Sequence, residues 1–152
     1  MSLAKSALLG LTAALVVVLV TGQQYTGVDE NCLGCLCEAS TRCQNRLDCT
    51  NGYCGIFLIS WAYWKEAGQP TLNNADPNSQ TAYSDCTNNP VCAAETVRRY
   101  MQNFAQDCNR DGVINCQDYA LIHKLGRNGC YGSLSGEFAT LFDTCRAKLG
   151  VQ

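Results

Sequence analysis

The chain has 152 residues, 47% of them hydrophobic, with twelve cysteines, a single histidine and a formal net charge of −2. That length fits one domain, and the mildly acidic balance excludes the clustered Lys and Arg that hold nucleic-acid backbones or anionic membrane surfaces. Twelve cysteines at this length are characteristic of secreted disulfide scaffolds and hard to keep reduced in a cytosol.

Taken in chain order, Lys5 precedes an apolar run from Ala7 to Val20 that ends in the small residues Thr21 and Gly22. The run falls short of the ~20 residues a helix needs to cross a bilayer. Residues 1–22 therefore read as a signal peptide cleaved near Gly22, leaving a mature domain over 23–152 with no membrane anchor, secreted to the extracellular space. Cys32, Cys35, Cys37, Cys43, Cys49 and Cys54 follow among small and polar residues. Cys32 and Cys35 have the C-x₂-C spacing of a zinc knuckle, but no second such pair follows and His123 is far along the chain, so disulfides are the expectation.

Asn51-Gly52 between Cys49 and Cys54 predicts a small β-hairpin. The apolar run Gly55–Trp64 predicts a buried helix starting at Gly55, with Ile56, Ile59 and Tyr63 at helical spacing. Gln69 to Asp85, polar and holding Pro70 and Pro77, reads as a surface loop. From Pro90 the residues Val91, Ala94, Val97, Met101 and Phe104 recur on one helical face. A further helix covers Gln117 to Leu125 and stops at Gly126, and another spans Gly136 to Leu149. The fold class is α+β, predominantly α and disulfide-rich, with a small β-hairpin.

The string Cys32-x-x-Cys35-x-Cys37-Glu38-Ala39-Ser40-x-x-Cys43, followed by Cys54-Gly55-x-Phe57-x-Ile59-x-x-x-Tyr63-Trp64, resembles the invertebrate-type (i-type) lysozymes, or destabilase family. The likeness continues through Tyr100-Met101, His123, Gly126 and Asn128-Gly129-Cys130. Relatives often carry a further cysteine near Ala67 and another near Thr96, and both are missing here, as expected of a pair lost together. The resemblance implies a lysozyme-like fold with a cleft for bacterial cell-wall glycan, and a glycosidase that breaks the bond between N-acetylmuramic acid and N-acetylglucosamine. No cofactor is required. We expect six disulfides and no free thiol, including the short pairs Cys37–Cys43, Cys49–Cys54 and Cys86–Cys92. The remaining six cysteines allow 15 pairings, among which the sequence does not choose.

Glycoside hydrolysis needs one carboxyl that donates a proton and a second that forms or stabilises the intermediate. The resemblance places the acid at Ser40 and the partner aspartate in the Thr50-Asn51-Gly52-Tyr53 stretch, and neither position holds a carboxyl. Glu38 and Asp48 are the nearest substitutes. In a helix, however, Glu38 lies ~200° around the axis from Ser40. The competing view makes Glu38 a solvent-facing residue of the first helical turn, where its charge suits the dipole. Sugar contacts carried over from the family fall on Ser60, Tyr100, His123 and Gly126. Two alternatives to hydrolysis remain: a binding module that holds glycan without cutting it, and an isopeptidase in which His123 works with Ser40 or Ser60.

Asp107 to Asp118 fits the calcium loop D-x-[DN]-x-[DN]-G-x-I and, ending in aspartate, resembles the loop of dockerins. It predicts a structural calcium held by Asp107, Asn109, Asp111, the Val113 carbonyl and Asp118. The simpler alternative is a polar turn that caps the helix at Gln117.

Overall fold

A computed structural model describes residues 27–44 and 48–152 of the chain, so the expected signal segment at 1–22 lies outside the described residues. Helix α1 spans Glu30–Thr41. Asp29 Oδ1 accepts from the Cys32 amide at 2.7 Å, which satisfies one of the free N–H groups at the helix start. Arg42 ends the helix in the left-handed conformation, and Cys32, Leu33, Cys35, Leu36 and Ala39 are buried.

Three two-residue strands follow, β1 (Cys49–Thr50), β2 (Tyr53–Cys54) and β3 (Ile59–Ser60), in one antiparallel sheet of that order. Cys49 faces Cys54, and Tyr53 faces Ser60 across β2 and β3. Asn51 and Gly52 both take positive φ, as a tight two-residue hairpin turn requires. The expected helix from Gly55 is corrected here. Residues 55–58 form a turn and β3 follows, so helix α2 begins only at Trp61 and ends at Glu66. Gly55 is not helical, its φ being +68°, and it is held close against Thr87, where a Cβ would lie 1.8 Å from the carbonyl oxygen. Ser60 starts the helix instead, its Oγ accepting from the Tyr63 amide at 3.2 Å.

The expected loop from Gln69 to Asp85 is also shorter than the sequence predicts. It holds a 3₁₀ turn at Leu72–Asn74, and helix α3 (Ala82–Asn88) begins inside it. The Tyr83 hydroxyl donates to the Ile59 carbonyl at 2.6 Å, fastening α3 to the sheet. Helix α4 (Pro90–Phe104) starts with Pro at its first position and with Asn89 Oδ1 accepting from the Val91 and Cys92 amides. Helix α5 covers Cys116–Leu125 and α6 Gly136–Leu149, both within a residue of expectation. Helix α1 lies along α6 and also touches α5. Trp64, Leu36, Ile59, Met101, Ile122 and Phe142 fill the core.

All twelve cysteines pair: Cys32–Cys116, Cys35–Cys145, Cys37–Cys43, Cys49–Cys54, Cys86–Cys92 and Cys108–Cys130. The three short pairs are those expected. Among the described residues no helix is long and apolar enough to cross a membrane.

Candidate functional site

The C-terminal end of α1, the sheet with its following turn, the end of α5 and the start of α6 converge on a cavity of about 240 Å³. Ser40, Tyr53, Phe57, Leu58, His123, Lys124 and Phe138 line it. His123 organises the floor. Its Nε2 lies 3.0 Å from the Phe57 carbonyl oxygen, and its Nδ1 lies 3.3 Å from the Tyr63 hydroxyl. A carbonyl only accepts, so Nε2 carries the proton and the Tyr63 hydroxyl donates to Nδ1. Burial, which disfavours the cation, lowers the imidazole pKa to about 4; nearby Lys124 adds to the shift and the bond to Phe57 opposes it. Ser40 Oγ sits 3.4 Å from Nε2. Behind the histidine, Tyr63 stacks on Tyr100 with ring centroids 3.7 Å apart, and burial raises the Tyr63 phenol well above its ordinary value.

The sequence-predicted residues divide. His123 lines the cavity, while Ser60, Tyr100 and Gly126 do not. Ser60 pairs across the sheet with the cavity residue Tyr53 and spends its oxygen on capping α2. Tyr100 is buried, so it supports the site from inside the core by stacking on Tyr63. Gly126 ends α5 with a φ of +76°. Glu38 is half-buried on α1 and lines no part of the cavity. The first-turn placement of Glu38 is corrected, since α1 begins at Glu30 and puts it in the last turn. Asp48 is exposed and accepts from the Thr50 hydroxyl at 2.9 Å. Among the described residues no Asp or Glu lines the cavity.

Side chains of the expected calcium loop accept hydrogen bonds from the loop's own backbone. Asp118 is fully buried, its Oδ1 accepting from the Cys108 and Asn109 amides and its Oδ2 from the Asn115 amide. Asp107 accepts from the Asp111 and Gly112 amides, Asn109 Oδ1 from the Asp111 amide, and Asp111 from the Val113 amide. Asn115 and Asp118 form a capping box at the start of α5. Among the described residues no group of three or more His, Cys, Asp or Glu side chains is placed to hold a metal.

Sequence reasoning missed Tyr53, Phe57, Leu58, Lys124 and Phe138 as lining residues. Lys124 is adjacent to the flagged His123, and Tyr53 belongs to the flagged hairpin. Phe138 carries no local signal, because only the docking of α6 against α1 brings it to the site. A larger cavity of about 780 Å³ lies between residues 71–75 and 82–90, and it includes none of the predicted site residues.

Residues 29–145 match the family model described as Destabilase. A lysozyme of Magallana gigas is 31% identical over 108 residues, 68% of this chain and 69% of that protein. Invertebrate-type lysozyme 3 of Caenorhabditis elegans is 28% identical over 117 residues, 75% and 82% of the two chains. A chain in the crystal structure of Aeromonas hydrophila PliI in complex with Meretrix lusoria lysozyme is 26% identical, with 82% of this chain and 96% of that one covered at a TM-score of 0.63.

Proposed function

The chain belongs to the destabilase family of invertebrate-type lysozymes, and from that premise we propose that it engages bacterial cell-wall glycan at the Ser40–His123 cavity. The observation that supports a reading of how it does so is the lining: among the described residues, hydroxyls, aromatic rings and one ammonium, with no carboxyl. Cleavage by the usual route needs two carboxyls flanking the bond, ~5 Å apart in retaining enzymes and up to ~9.5 Å in inverting ones. Recognition needs only ring faces and hydrogen-bonding groups. We therefore read this member as holding peptidoglycan sugars without hydrolysing them. Sedimentation with insoluble peptidoglycan, beside the turbidity of a cell-wall suspension, tests this, with binding and no lysis expected.

Muramidase activity is the second reading, supported by the relatives named lysozyme. It makes Glu38 the proton donor, with Asp48 as its partner. Lysis that fell by about 10²–10⁴-fold in Glu38→Gln would establish it, because the amide keeps the size but cannot donate a proton.

The isopeptidase reading has less behind it. With its proton on Nε2 directed at Phe57, His123 cannot accept the Ser40 proton through that nitrogen, and Ser60 is engaged as a helix cap. The disulfides and the apolar leader support secretion, in antibacterial defence or digestion. For the Asp107–Asp118 loop we propose a capping role that needs no calcium, tested below.

A further inference from the structure

The charge of the cavity bears on which glycan would fit it. Among the described lining residues only Lys124 carries a formal charge, because His123 is held neutral by donating Nε2–H to Phe57 and accepting from Tyr63. Lys124 is exposed, its Nζ stands 5.1 Å over the Phe138 ring at the cavity wall, and among the described residues it has no acidic partner. One flanking pair of charges neutralises itself: Arg42, two residues beyond Ser40, pairs at 2.5 Å with Glu137, which precedes Phe138. The other polar side chains among the described residues at the wall, besides His123, are the Ser40 and Tyr53 hydroxyls, and Tyr53 is half-exposed. Both hydroxyls can donate, so an ammonium and two hydroxyls face the space with no carboxylate among them. Such a site complements an anion.

Its size sharpens the point. About 240 Å³ lies below the ~300–1,000 Å³ usual for ligand pockets, so the cavity takes one ring or one substituent and leaves the rest of a glycan outside. A substituent seated there is read closely. Neutral chitin-type sugars offer hydroxyl and acetamido groups only, whereas a muramyl unit adds a carboxylate, either on its lactyl ether or on the peptide joined to it.

We propose that this cavity selects a carboxylate-bearing muramyl unit over neutral N-acetylglucosamine oligomers, and that Lys124 is the specificity-determining residue. The proposal rests on the glycan-binding reading above and goes beyond it by naming the feature recognised. A charge-assisted contact at a partly exposed site corresponds to about a threefold to tenfold preference, and salt screens it.

The test is calorimetric titration of the oxidised, full mature protein with three probes. These are the N-acetylglucosamine–N-acetylmuramic acid disaccharide with a free lactyl carboxylate, the same disaccharide carrying a dipeptide, and the neutral N-acetylglucosamine disaccharide. One or both acidic probes should bind about threefold to tenfold tighter than the neutral one. That margin should vanish in Lys124→Gln, persist in Lys124→Arg, and shrink at 1 M salt. Preference for the first probe alone assigns the lactyl carboxylate, and preference that survives the dipeptide assigns a peptide carboxylate; either supports the proposal. Lys124 is exposed, so Lys124→Gln should keep the wild-type unfolding midpoint. Equal affinity for all three probes, or a preference unchanged in Lys124→Gln, overturns the proposal and leaves glycan binding intact. Binding to none of them overturns both.

Discussion

His123, on the floor of the proposed site, is the residue through which acid should act on it. A histidine in the unfolded chain titrates near 6.5, whereas in the folded protein burial lowers the value to about 4. Between those values the unfolded chain takes up a proton that the native state refuses. The contribution of the neutral imidazole is therefore complete above about pH 6.5 and is lost progressively as pH falls to about 4. The full window corresponds to about 3 kcal/mol, less for the part of the ring that water reaches. Unfolding midpoints at pH 7 and pH 4.5 should fall further in wild type than in His123→Gln; parallel falls would mean that the ring titrates as it does in water. Ser40 supplies the matching test of catalysis. Ser40→Glu puts a carboxyl where the family resemblance places the acid, yet on the binding reading lysis should stay absent because Thr50 to Tyr53 offer no second acid. Turbidity clearing by that single variant would show that one carboxyl is enough. The sequence disclosed both residues, His123 as the only imidazole and Ser40 by its place before Cys43, but not the tautomer, since that is dictated by Phe57 and Tyr63 from other elements.

Local signals decide how much of each element can be read in advance. Helices α4 and α5 were legible because their boundaries are written nearby, in Asn89 and Pro90 at one start and Gly126 at one end. The Gly55–Trp64 run was not, because the restraint on Gly55 is the carbonyl of Thr87 on another helix, which no periodicity reports. The start of α3 was hidden for the same reason, its anchor being the bond from Tyr83 to Ile59. At the Asp107–Asp118 loop the motif is plain but its use is decided by the direction of one side chain. Asp118 is buried and accepts three amide bonds, so Asp118→Asn puts an NH₂ group against donors and should cost about 2–3 kcal/mol. Thermal midpoints of the wild type in millimolar calcium and in chelator should coincide, the loop being ordered by its own amides. A calcium-dependent rise that disappears in Asp111→Ala would instead seat an ion among Asp107, Asn109, Asp111 and the Val113 carbonyl.

At the scale of the molecule, the cavity exists because three helices from distant parts of the chain are tied together. Helix α1 brings Ser40, α5 brings His123 and Lys124, and α6 brings Phe138. Cys32–Cys116 joins α1 to α5 across 84 residues, and Cys35–Cys145 joins α1 to α6 across 110. Cys86–Cys92 closes a separation of only 6. Restricting the unfolded chain through a long loop stabilises more than through a short one, about 4.5–5 kcal/mol against about 2 kcal/mol in the chain-entropy account. Replacing Cys35 and Cys145 together by alanine should therefore lower the unfolding midpoint much more than replacing Cys86 and Cys92 together. Binding should separate the two variants further. The first frees α6 from α1 and with it the Phe138 wall over which Lys124 is held, so affinity for cell-wall glycan should fall even at temperatures where the variant is fully folded. The second leaves all three walls fastened and should bind as the wild type does. Equal binding by both variants under folded conditions would show that packing of α1 along α6 holds the cavity without its covalent tie.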